Sequence, residues 1–456
     1  MKAHTINSNG ITEGVIWKQI ISFFFPILLG TFFQQLYNTA DAIIVGQFLG
    51  KEALAAVGGG TGTAINLLIG FFTGLSSGAT VVISQHFGAK NEERVEKAIH
   101  TAIALALVGG LIISVLGYVF TVPLLDVIGT PDDVMPLAVS YMHIYFLGGI
   151  PVVMYNMGAG IFRAMGDSRS PFYFLLASCM TNIVLDILFV GFFHTGVEGA
   201  AIATVISQLL SMVLIFITLM RRKDSAKLRI RKIAFDRRLL TQMLMIGFPA
   251  GIQSIMYTIS NLIIQAAINQ FGTDTAAAWA GWSKLDQIFW MFINAFSISI
   301  TTFVGQNYGA GKIDRAKKGV RTVTLMAAVS TFVIEAGYFL VGRYGLMLFI
   351  TDSAVLEIGV EIMRFIVPWY ITYIAIEILS GAIRGAGKSM IPTIISVVGI
   401  CILRIVWIYI VPLFDTSIIG VLFSYPFSWI LTSILFIIYY FKGNIYSVAS
   451  NQKRLR

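Results

Sequence analysis

Leu36-Tyr37-Asn38-Thr39-Ala40-Asp41 places one carboxylate near the end of a long apolar run, and the reading of that run decides the fold. From Val15 to Val45 the only charged residues are Lys18 at the start and Asp41 near the end. Such a run is long enough to cross a bilayer, which takes about 20 helical residues. An acid inside it is expensive to bury, so it marks a functional position by default. Asn182-Ile183-Val184-Leu185-Asp186 answers it: positions i and i+4 put an amide and a second carboxylate on one helical face.

Composition sets the class. Hydrophobic residues make up 57% of the chain and charged residues 12%, about half the charged share of a soluble domain. A soluble chain of 456 residues would fall into two or three domains with visible linkers, whereas here one apolar run follows another. The 43 glycines suit membrane helices that approach closely. Cys179 and Cys401 both lie in apolar runs and give neither metal spacing nor a disulfide framework. The first apolar run is too long for a cleavable signal, and no small-residue cleavage site follows it.

Twelve spans are expected, at about 15–43, 52–87, 98–122, 133–163, 169–194, 196–220, 239–271, 275–307, 317–344, 354–384, 389–414 and 416–441. Of the 32 basic residues, 27 fall at the termini and on the even-numbered connections, nine of them on the sixth. The positive-inside rule then puts both termini on the cytoplasmic side of the cytoplasmic membrane. The net charge of +9 is thus a topology signal, and no nucleic-acid partner is expected.

The sixth connection, Arg221 through Arg238, divides the chain into an N-lobe (1–220), a basic linker (221–238) and a C-lobe (239–456) that resemble each other. Ser84-Gln85-His86-Phe87-Gly88-Ala89 recurs as Gly305-Gln306-Asn307-Tyr308-Gly309-Ala310, an offset of 221. The Gly160 to Gly166 block recurs at Gly381 to Gly387 with the same offset, and Pro26 matches Pro249 at 223. Six spans per half make the repeat parallel, an architecture used by transporters that expose a site alternately to the two sides. The expected fold is an all-α polytopic membrane protein of two six-helix lobes. The Gln-x-aromatic-Gly-Ala blocks and the turns after Arg163 and Arg384 read as helix ends terminated by glycine, next to a basic anchor. Gly381 to Ser389 imitates a phosphate-binding loop, but Ala382 stands where the motif needs glycine, and a membrane helix precedes it instead of a strand. No nucleotide partner and no enzymatic activity are expected.

The second half has Ile264 and Trp407 where the first has Asp41 and Asp186. A structural pair in a symmetric scaffold would more naturally recur. Two acids close together in an apolar setting can take up and release a proton, or hold a monovalent cation such as sodium with Asn182 and a hydroxyl from Tyr37, Tyr141 or Thr204. The competing reading is a polar knot between helices. Lys284 and Asp286, among Trp279, Trp282 and Trp290, either pair structurally or line the cavity. Glu377 and Arg384 share a helical face two turns apart and suggest a structural network. The 17 methionines suit either an adaptable apolar cavity or ordinary packing.

Through Leu36-Tyr37-Asn38-x-x-Asp41, Asn182 to Asp186, and Gly199-Ala200-Ala201-Ile202-Ala203-Thr204, the chain resembles the multidrug and toxic compound extrusion (MATE) family of the MOP flippase superfamily. The resemblance covers nearly all twelve spans. It implies a V-shaped pair of six-helix lobes and cation-driven export of amphipathic, often cationic compounds, by a protein expected to act as a monomer. It also assigns Asp41, Asn182, Asp186 and Thr204 to an N-lobe cation and proton site, with Tyr141 beside it and Asn156 in the same cavity. No acid lies between Gly247 and Phe271, where the sodium-driven NorM-like branch carries one; this favours the DinF-like branch. The expected function is antiport of organic compounds against H+ or Na+, with no cofactor beyond that ion. The alternatives are a lipid-intermediate flippase, for which only Lys284, Arg364 and Arg404 offer cations inside spans, and a passive channel, for which no filter motif exists.

Overall fold

The structure is a computed structural model and describes residues 11–446, which contain helices and no strand. Its first half contains α1 (Ile16–Leu49), α2 (Lys51–Gly58), α3 (Gly60–Gly88), α4 (Glu92–Ile128), α5 (Met135–Leu147), α6 (Gly149–Ala164), α7 (Arg169–Asp186), which runs on as a π-helical segment Ile187–Phe192, and α8 (Gly196–Arg221). The second half contains α9 (Arg237–Asn269), α10 (Thr273–Gly309), α11 (Ile313–Leu346), α12 (Ser353–Ile366), α13 (Tyr370–Gly385), α14 (Met390–Ser396), a π-helical segment Val397–Ile402, α15 (Leu403–Ile410), α16 (Ile418–Leu422) and α17 (Ser424–Lys442). Eleven helical stretches among the described residues are long and apolar enough to cross a membrane, and α5 with α6 make a twelfth. Leu325, Phe332, Val333 and Leu340 stand exposed along α11, as expected of a lipid-facing helix and not of a water-soluble surface.

The expected span over about 133–163 is a pair of helices bent by 53°. Pro151 has no N–H to offer the Leu147 carbonyl, so the ladder fails where α5 ends. Gly148 and Gly149 also let neighbours press in: a Cβ on Gly148 would lie 2.7 Å from Val205 Cγ2, and one on Gly149 2.6 Å from Ile113 Cγ2.

The helices sort into two compact units. The first holds Ile11, Thr12 and Ser22–Ile255; the second holds Glu13–Ile21 and the chain from Met256. In the first unit α4 lies on α3 and α6, and α8 lies on α5, α6 and α7. The unit also takes in the linker and the first half of α9. The reason is a crossing of two small-residue stripes, Gly74 and Gly78 on α3 with Gly247 and Gly251 on α9. A Cβ on Gly74 would lie 2.4 Å from the Gly251 nitrogen, and one on Gly78 would lie 2.2 Å from the Met243 carbonyl oxygen. Backbone meets backbone there, and only glycine permits it. In the second unit α10 packs on α11, α12 and α13, and α13 packs on α17. Arg315 of α11 holds the start of α1 and the residues before it, donating to the Gly14 carbonyl and to Gln19 Oε1, each at 2.8 Å.

The basic linker is docked and not a loose tether. The Arg229 N–H donates to His100 Nε2 at 3.0 Å, Lys232 Nζ bonds Glu96 at 2.8 Å, and the Asp236 N–H donates to Thr101 Oγ1 at 3.1 Å. Since Nε2 of His100 accepts, the ring proton sits on Nδ1 and points at the Glu96 carbonyl, 2.7 Å away.

The repeated turns keep their geometry in both halves. Gly166 and Gly387 each take φ 86°, and Asp167 and Lys388 each reach back six-to-one, to the carbonyls of Phe162 and Ile383. The Gln-x-aromatic-Gly-Ala blocks differ from expectation in one respect. Gly88 and Gly309 end their helices, but the left-handed residue comes two positions later, at Lys90 (φ 55°) and Gly311 (φ 71°).

Candidate functional site

The two acids singled out in the sequence meet inside the first unit. Asp41 comes from α1, one turn after Tyr37, and Asp186 is the last residue of α7. Both are buried, at 7% and 0% exposed, and their carboxyl groups lie close enough to interact directly. Asn182 lies a turn before Asp186. With its amide nitrogen toward the acid it donates to Asp186 Oδ2 at 2.8 Å, and its oxygen accepts from the Thr204 N–H at 3.3 Å. Thr204, on α8, also lies 3.4 Å from the Tyr37 hydroxyl. Four of the expected residues therefore form one connected set with Tyr37, supplied by α1, α7 and α8.

Tyr141, on α5, is buried and within electrostatic reach of both acids. Tyr145, one turn on, stacks against it with ring centroids 6.1 Å apart and also faces Tyr37. The sequence reading missed Tyr145; the i, i+4 spacing from Tyr141 was the available signal. Asn156 donates to its own helix, at the Val152 carbonyl.

Two oxygens in this set stand out. Asp41 Oδ1 and Asp186 Oδ1 are buried and have no hydrogen-bond partner among the described residues. Buried carboxylate oxygens are almost always bonded, and two carboxyls that touch need a proton or a cation between them. The chemistry available to the set is uptake of one small positive charge. The π-helical turn that follows Asp186 widens the helix next to the acid, a form found at functional sites. No three His, Cys, Asp or Glu side chains cluster among the described residues as a transition-metal site would require.

The other expected residues lie in the second unit. Asp286 does not pair with Lys284, which is exposed and makes no ion pair among the described residues. Residues two apart on a helix point to different faces. Asp286 instead accepts from Trp290 Nε1 at 2.7 Å and from the Tyr370 hydroxyl. Glu377 accepts from the Tyr373 hydroxyl at 3.1 Å and makes no ion pair with Arg384. The link between those two runs through Ser297, which receives Arg384 Nη2 at 3.5 Å and donates to the Glu377 carbonyl at 3.4 Å. The tyrosines and tryptophans around these acids were not legible as a cluster, because α10, α13 and α17 supply them from distant parts of the chain.

A sequence profile of the MatE family matches residues 26–188 and again 249–410, once on each half of the internal repeat. A probable multidrug resistance protein of Bacillus subtilis (strain 168), YoeA, is 28% identical over 433 residues, 93% of this chain and 93% of that protein. An FAD transporter of Shewanella oneidensis is 25% identical over 358 residues, covering 76% and 78%. A transporter of the MOP superfamily from Pyrococcus furiosus superposes with a TM-score of 0.89 at 21% identity over 97% of this chain and 99% of that one, which carries the fold. The chain belongs to the MatE family of membrane transporters.

Proposed function

We propose that this protein is a secondary antiporter of the cytoplasmic membrane, with both termini cytoplasmic, that exports organic, often cationic and amphipathic compounds in exchange for H+ or Na+. The observation that carries the reading is the pair Asp41 and Asp186, buried, touching, and each with one unpartnered oxygen. Asn182, Thr204 and Tyr37 complete an oxygen-rich set able to hold either ion. The multidrug resistance and multidrug export relatives support the substrate class. The absence of an acid between Gly247 and Phe271 favours coupling in the first unit, as in the DinF-like branch. Loading the pair favours one state of the transporter and unloading favours the other, and the bound compound moves with that exchange.

The test uses proteoliposomes loaded with a fluorescent organic cation, given a pH gradient or a sodium gradient separately. Wild type is expected to move the dye under one of the two. A tenfold ion gradient supplies up to about tenfold accumulation per monovalent ion exchanged in neutral antiport. Asp41→Asn and Asp186→Asn are each expected to abolish the gradient-driven component while inserting normally. Driven efflux at wild-type rates in both variants would refute the coupling role.

A further inference from the structure

Among the described residues Arg404 is a buried cation without a counter-ion. It stands in the eleventh apolar stretch, Met390–Leu413, and is 4% exposed. An arginine at such a position normally pairs with an acid or a run of carbonyls, because its desolvation has to be offset. This one does neither. Nε donates to Ser428 Oγ at 3.0 Å, and the guanidinium lies over the ring of Tyr425, 4.3 Å from its centroid, and 5.7 Å from that of Trp429. The Nη groups donate to no protein atom among the described residues. Asp286 is engaged by Trp290 and Tyr370 and Glu377 by Tyr373, and no acid among the described residues forms an ion pair with Arg404.

A second unpartnered donor stands beside it. Trp429 is 1% exposed and its Nε1–H has no hydrogen-bond partner. Trp429 Nε1 thus lacks an acceptor beside a charged fork whose Nη groups meet none among the described residues. The π-helical turn Val397–Ile402 ends immediately before α15, which carries Arg404. By the repeat offset of 221 this turn matches 176–181, and not the turn after Asp186. The backbone irregularity therefore sits next to the charged residue in each half, although the charges differ in sign and position.

We propose that Arg404 anchors a site for an anionic oxygen group, a carboxylate or a phosphate, on a ligand with an aromatic or apolar body. The Nη pair matches two oxygens of such a group side by side, and Trp429 Nε1 supplies a further donor. Tyr373, Trp290 and Trp429, whose rings meet at 4.9 and 5.4 Å, form the wall for the body. The site is read at equilibrium with no gradient, so it stands or falls separately from coupling at Asp41 and Asp186.

The experiment titrates the purified full-length protein, in maltoside micelles, with dansylglycine and with its uncharged partner dansylglycinamide. A second comparison uses dihexanoyl phosphatidylglycerol and dihexanoylglycerol as competitors of the bound dye. Wild type is expected to prefer the charged member of at least one pair by tenfold or more. Preference for dansylglycine assigns a soluble carboxylate, and preference for the short phospholipid alone assigns a lipid headgroup. Arg404→Gln should erase the preference while leaving the uncharged probe's affinity unchanged, and Arg404→Lys should retain part of it. Wild type that distinguishes neither pair overturns the proposal whether or not the variants fold. So does a well-folded Arg404→Gln that keeps the full preference.

Discussion

Replacing Gly78 with alanine tests how the first half of α9 comes to belong to the first unit. The added Cβ would lie 2.2 Å from the Met243 carbonyl oxygen, 2.6 Å from the Gly247 nitrogen and 2.8 Å from its Cα. All three are backbone atoms, so no side chain can rotate out of the way. Ordinary contact begins near 3.4 Å, and 3.4 − 2.2 leaves 1.2 Å by which α3 and α9 must separate at that level. Such a gap forfeits roughly a quarter to a half of each dispersion contact along the crossing. Overpacking of this kind costs about 1–3 kcal/mol, against a gain of about 1 kcal/mol from alanine's helix propensity. The net is a destabilisation of up to about 2 kcal/mol, and because the shift per kcal/mol shrinks with chain length, a fall in Tm of up to about 4 °C. Gly337→Ala in α11 is the control, since nothing lies within 4 Å of its Cβ position; it should melt at or slightly above the wild-type temperature. The assay is thermal unfolding of the purified protein in detergent, followed by intrinsic fluorescence. If Gly78→Ala melts as high as the Gly337→Ala control, the helices are not locked by that contact and the packing argument is wrong.

Two further outcomes concern the linker. Asp236 accepts from the N–H groups of Leu239 and Arg238, each at 3.0 Å, at the start of α9. The Leu239 bond first, and then that of Arg238, hold its carboxyl below the ordinary range. A depressed folded-state value means the stabilisation is full above pH about 4 and is lost as pH falls through the lowered value. Asp236→Ala should cost about 1 kcal/mol at neutral pH. Asp236→Asn should keep the cap while flattening the acid limb of a Tm-against-pH curve, and an unchanged limb would refute the assignment. His100→Phe removes the acceptor for the Arg229 N–H, a bond worth about 0.5–1.5 kcal/mol. Trypsin should then cut after Arg229 and Arg231 faster than in wild type; equal rates would show that the histidine does not hold the linker down.

The sequence carried the membrane class, the spans and the parallel repeat, because each rests on a property of the local chain. Apolar runs such as Val15–Val45 must be helical in a bilayer, and the 221-residue offset is a matter of comparison along the chain. It also carried the acids, since Asp41 and Asp186 are costly in such runs whatever surrounds them. Asn182 followed from its i, i+4 spacing. Two local features went unread in the sequence: Pro151 bends the fourth span, and Lys90 takes the left-handed position expected of a glycine.

Tertiary structure alone decided what each polar group touches. Thr204 joins Asn182 and Tyr37 because α8 packs against α7, and no spacing within α8 says so. Asp286 turned from Lys284 to Trp290, one turn on in α10, and to Tyr370, and Glu377 reached Arg384 only through Ser297, because Tyr370 and Ser297 each come from another helix. The unpaired state of Arg404 is likewise invisible in a string that holds acids at 286 and 377. Membership of a transmembrane helix is set by hydropathy summed over about 20 neighbours. A hydrogen bond depends on a few tenths of an ångström between residues more than a hundred positions apart.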